Sequence, residues 1–147
     1  MKKIILTSLA LLAAAAAAGG AYWRRRVKPG LLIEETRYGS IQGLGTAVIQ
    51  FHDDEKRMPV SLKEMVDKGY LPVESKLYAD PLEVRSLGRR PIPYSQCQFE
   101  LVFSSRSVTI RVPDAIARNF RDLPVPESRR SWTVGDDLAV YDPPKNR

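Results

Sequence analysis

Four adjacent side chains, His52-Asp53-Asp54-Glu55, are of the types that hold a metal ion or move protons. Their spacing argues against both. Successive residues of a helix fan out about 100° apart, so these four cannot converge on one ion, and the three- and four-residue partner spacing is nearly absent. The run reads as a solvated helix end. Asp136-Asp137 follow Gly135 in a turn-forming stretch and, with Asp142 and Asp80, could supply the oxygen ligands a hard cation takes. A plain turn is the competing reading. Cys97 is the single cysteine, so no intramolecular disulfide can form. It opens an apolar strand with no basic neighbour to lower its pKa, and a buried, unreactive thiol is expected. Ser104, Ser105 and Ser107 stand outside any Gly-x-Ser-x-Gly context. The single histidine, His52, belongs to a helix end, which leaves a serine or cysteine nucleophile without a base. No glycine-rich phosphate loop is present. The sequence therefore offers no catalytic residue and no cofactor site, and a non-enzymatic protein is expected.

The elements around these residues are legible from periodicity. Ile41, Leu44, Val48 and Phe51 step by three, four and three between Glu34 and Glu55, which predicts a helix over 34–55 with one apolar stripe. The stripe could be a contact face for a partner, but at this spacing it reads first as core. Gly39, Gly43 and Gly45 each cost such a helix about 1 kcal/mol relative to alanine, so packing must hold it. A weak helix or a loop at its start is one reading of these glycines, and close approach of another helix or sheet is the other. Ser61 and Glu64 form a capping box ahead of Leu62, Met65 and Val66, and Gly69 can take the left-handed conformation that ends this short helix. Pro72 and Asp80-Pro81 interrupt regular structure and brace the loop that follows.

Residues 97–112 predict a hairpin. Cys97, Phe99, Leu101 and Phe103 alternate with polar residues, as do Val108, Ile110 and Val112, around a Ser104–Ser107 turn. One apolar face on both strands needs a cover, and the helical stripe is the natural one. Pro113-Asp114 predicts a short helix to about Phe120, with Asp114 as its cap. Residues 131–134 and 138–141 read as a second hairpin about Gly135-Asp136-Asp137, and 143–147 as a tail. Arg129-Arg130 beside Trp132 suggest a strand edge protected by charge, or a stacking site for a partner's aromatic group.

Charge is distributed unevenly. Six of the 23 basic residues lie within residues 1–30 without an acidic one, and the remaining 17 are balanced by all 17 acidic residues. The basic pI thus belongs to the N-terminus, which excludes a basic nucleic-acid-binding domain. Ile4 to Trp23 is an apolar run of about 20 residues between Lys2-Lys3 and Arg24-Arg25-Arg26, long enough to span a bilayer, with Tyr22-Trp23 suited to the headgroup level. Ala16-x-Ala18 offers a cleavage site of the signal-peptide kind, but the arginine triplet just beyond favours a retained anchor. The basic flanks taken alone would keep the following domain in the cytoplasm. The chain is then organised as an anchor and linker over 1–30, with Val27-Lys28-Pro29-Gly30 as the linker, an α+β domain over 31–126 and a C-terminal hairpin and tail over 127–147.

The order of signals from residue 36 to 103 resembles the soluble part of type II secretion pseudopilins. Those run Gly-x-Tyr-Pro, Ser-Leu, Gly-x-Leu-Pro, Asp-Pro-Trp-Gly-x-Pro-Tyr. Here the series is Met58-Pro59, Ser61-Leu62, Gly69-Tyr70-Leu71-Pro72, Asp80-Pro81 and Pro91-Ile92-Pro93-Tyr94. Leu82-Glu83 replaces Trp-Gly, and the spacing from Asp80 to Tyr94 is longer. Gly30-Leu31-Leu32-Ile33-Glu34 is similar to a prepilin-peptidase site, but the apolar segment precedes it instead of following, and it reads as coincidence or relic. The resemblance implies a pilin-like architecture: an N-terminal transmembrane helix, then a long helix packed on a small antiparallel sheet. It also implies a domain on the periplasmic side of a bacterial inner membrane and partners among envelope and secretion-system proteins. Major pseudopilins hold calcium in their C-terminal loops, which would make Asp136 and Asp137 candidate calcium ligands here, although the loop does not match that motif residue by residue. A stand-alone anchored binding module is the alternative, because Pro29-Gly30 separates the anchor from the predicted long helix.

Overall fold

A computed structural model describes residues 15–121, 123–126, 129–135 and 140–141. The chain divides into two units, Met1–Leu32 and Ile33–Arg147. The first is helical from residue 15, with a π turn over Trp23–Val27 in which the Lys28 N–H donates to the Trp23 carbonyl. Helix α1, Lys28–Glu55, follows. The expectation of a linker at 27–30 and a helix beginning at 34 is corrected: Lys28-Pro29-Gly30 are helical. A proline inside a helix removes one N–H and crowds the carbonyl four residues back. The π turn just ahead widens the spiral where that crowding would fall. Among the described residues no helix is long and apolar enough to cross a membrane. Residues 4–14 of the expected span lie outside the described residues.

The second unit is α+β, one long helix with small antiparallel sheets. Strands β3 (Glu100–Phe103), β4 (Ser107–Arg111), β5 (Ser131–Gly135) and β6 (Val140–Tyr141) form a four-stranded antiparallel sheet in that order. The hairpin register pairs Leu101 with Ile110 and Phe103 with Val108, and β5 sets Val134 against Val108 and Trp132 against Ile110. Side chains alternate across a strand, so these residues share one face, and Ile41, Leu44, Val48 and Phe51 of α1 join them in a single core. All four stripe residues are fully buried, as are Val108, Ile110, Val112 and Val134. Fully burying side chains of this size contributes about 1.5–3 kcal/mol each. The opposite face carries the half-exposed Val102 but is otherwise polar: Thr109 and Thr133 Oγ1 lie 2.9 Å apart, and Arg111 Nε donates to Glu100 at 2.7 Å. The strands expected as a second hairpin do pair antiparallel, Thr133 with Tyr141 and Val134 with Val140, and β5 also pairs with β4, so they extend the 100–111 sheet.

Between α1 and the sheet, residues 56–99 form a braced loop. Helix α2, Leu62–Asp67, starts as expected: Ser61 Oγ accepts from the Glu64 N–H at 3.1 Å. The reciprocal bond differs, because Glu64 reaches one residue further back, to the Val60 N–H at 2.9 Å, where it also receives Arg57. These two partners hold the Glu64 carboxyl below its usual range, the Arg57 hydrogen bond contributing most. Gly69 ends α2 at φ 83°, with Gly69 N–H on Val66 O and Tyr70 N–H on Met65 O, the paired bonds of a Schellman motif. Strands β1 (Glu74–Ser75) and β2 (Ile92–Pro93) pair antiparallel and close the loop 76–91. The helix expected over 114–120 is reduced to one 3-10 turn, Asp114–Ile116, in which Asp114 makes no cap bond and pairs with Arg130 instead.

Helix α1 stops at Lys56, which lies at φ 56° and donates its N–H to the His52 carbonyl at 2.9 Å. That left-handed C′ position costs a residue with a Cβ about 1–2 kcal/mol. Lys56→Gly is expected to raise the urea midpoint by the equivalent of about 0.5–1 kcal/mol, after the greater unfolded-chain entropy of glycine is subtracted. An unchanged or lowered midpoint would contradict it.

Candidate interaction site

The most unusual chemistry lies on the helical stripe one turn before Ile41. Arg37 and Asp80 are almost wholly enclosed, with 4% and 0% of their side chains exposed. Arg37 Nε and Nη2 both donate to Asp80 Oδ2, at 3.1 and 2.5 Å. Its Nη1 and Nη2 also donate to the carbonyls of Arg118 and Ile116, at 2.7 and 2.6 Å. Asp80 Oδ1 accepts from the Leu82 N–H at 3.0 Å, and the Asp80 N–H donates to Gln98 Oε1 at 2.6 Å. Arg89 adds a second cation: Nη1 donates to Ser40 Oγ at 2.7 Å and to the Ala79 carbonyl at 2.6 Å. Burial pulls the Arg89 guanidinium below its usual range, and the charge on Asp80 opposes that shift. The Arg37–Asp80 pair therefore joins α1, the Asp-Pro corner and the 116–118 segment, and the Asp80 backbone ties in Gln98 just ahead of β3.

Above this node, loops 82–85 and 115–120 enclose a groove of about 270 Å³ lined by Leu82, Glu83, Arg85, Ile116, Arg118 and Phe120 among others. Its first wall is a turn over 81–86, with Arg85 N–H on Leu82 O and Ser86 N–H on Pro81 O. This is again a Schellman pair, with Arg85 at φ 47° where glycine is usual. The turn leaves Val84 and Leu87 about half exposed, at 53% and 48%. A second depression of about 480 Å³ lies against the far end of α1, between Gln50, Asp53, Asp54, Gly69 and Tyr70.

The residues singled out in the sequence fall as follows. Ile41, Leu44, Val48 and Phe51 are core and present nothing to a partner. Asp136 and Asp137 lie outside the described residues, as does Asp142. Asp80 is committed to Arg37 and to its own turn, so it does not join a cation site with them. His52-Asp53-Asp54-Glu55 do diverge: Asp54 accepts from Tyr70 OH at 3.0 Å and Glu55 from Lys68 Nζ at 2.6 Å, while Asp53 is exposed. His52 departs from the solvated helix end expected of it, being half-buried with Nδ1 enclosed and without a hydrogen-bond partner among the described residues. Among the described residues no three potential metal ligands converge. Trp132 is buried in the core, which removes it from any stacking role on the surface.

Ser104 Oγ is occupied by its own turn, 2.9 Å from the Ser107 carbonyl and 3.0 Å from Ser107 Oγ. Burial pushes the Cys97 thiol up, the direction that suppresses thiolate. The neighbouring Tyr78 phenol, which donates to the Pro72 carbonyl at 2.5 Å, is pushed up to about 12, chiefly by burial. Cys97 is accordingly expected to react with a water-soluble disulfide reagent more slowly in the folded chain than in the urea-unfolded chain, because burial both suppresses the thiolate and limits access. Equal rates would show the thiol to be open. The chain matches no protein-family model, no curated protein and no solved structure.

Proposed function

We propose that the chain is a non-enzymatic, membrane-anchored, pseudopilin-like component of a bacterial type II secretion or related envelope assembly, working through protein contacts. The observation that carries this reading is the placement of the motif series between helix and sheet. Pro59, Ser61, Leu71 and the Asp80-Pro81 corner all lie in the segment that connects α1 to β3, and α1 shares one hydrophobic core with the antiparallel sheet. The ordered resemblance calls for that arrangement. The helical conformation of Lys28-Pro29-Gly30 removes the interruption that favoured a stand-alone module. The domain is read as periplasmic, with Ile4–Trp23 as the single inner-membrane span.

The test is crosslinking in living cells. Gln42 and Thr46 lie on the exposed side of α1, away from the buried stripe, and either can carry a single cysteine once Cys97 is replaced by serine. Crosslinks to pseudopilins or to the inner-membrane platform are expected. Crosslinks to neither, in cells whose secretion system is running, would overturn the assembly reading in favour of an anchored binding module.

A further inference from the structure

We draw no further inference here: the strongest candidate, the groove between the 82–85 turn and the 115–120 segment with Val84 and Leu87 exposed beside it, carries nothing because its lining mixes Glu83 with Arg85 and Arg118 and nothing in the structure shows what covers it.

Discussion

Asp80→Asn is expected to cost the folded domain about 3–5 kcal/mol, because it leaves the Arg37 guanidinium buried and without a counter-charge. Domains of this size are stable by about 5–15 kcal/mol in total, so the loss is a large share. Arg37→Met should cost a similar amount for a different reason. It strands the Asp80 carboxylate and removes donors from the Ile116 and Arg118 carbonyls. The informative comparison is the double variant Arg37→Met/Asp80→Leu. A buried ion pair contributes little net stability over apolar residues of similar volume, so the double variant should be more stable than either single one. Urea unfolding followed by circular dichroism on all four proteins decides it. If Asp80→Asn costs less than about 1 kcal/mol, within the range of an exposed pair, the node is not the fastening described above.

Much of this domain was legible because its signals are local. The period of Ile41, Leu44, Val48 and Phe51 depends only on helix geometry, and the alternation across 99–112 only on strand geometry; both led to one core. The Ser61 cap and the Gly69 stop were equally local and appear where expected. The errors arose where a partner far along the chain decides, or where an irregular turn next to the residue does. Asp114 reads as a cap, but Arg130, sixteen residues on, takes its carboxylate. Pro29-Gly30 reads as a break, but a π turn upstream accommodates the ring. Arg37 was overlooked although a signal was present: it precedes Ile41 by four and Leu44 by seven, which sets a charge on the apolar stripe. A charge in that register demands a buried counter-ion, and Asp80 before Pro81 is the partner. That Asp80 supplies it depends on a contact 43 residues away, which periodicity cannot reveal.

Gly45 and Gly39 should respond in opposite directions to the same substitution. Both lie inside α1, where alanine is favoured over glycine by about 1 kcal/mol. A Cβ on Gly39 would meet nothing within 4 Å, so Gly39→Ala is expected to stabilise by about that amount. A Cβ on Gly45 would fall 2.0 Å from Cζ3 and 2.1 Å from Cε3 of Trp132, inside the ring's own van der Waals envelope. The indole is rigid and its position in β5 is fixed by pairing with β4 opposite Ile110. It cannot swing aside as a lysine tip would, so either α1 lifts from the sheet or the ring leaves its rotamer. Overpacking of this kind costs about 1–3 kcal/mol and occasionally more. With the helical gain of about 1 kcal/mol subtracted, Gly45→Ala should lower stability by up to about 2 kcal/mol, and Gly45→Val by more, since it adds volume at the same contact. The decisive background is Trp132→Leu, which costs stability itself by leaving a cavity but removes the ring that a new methyl would strike. There, Gly45→Ala should stabilise, reversing the sign seen with the tryptophan present. Circular-dichroism melts of the single and double variants read this directly. Loss of stability on Gly45→Ala in both backgrounds would place the cause in the helix, and not in the socket that Gly45 makes for Trp132.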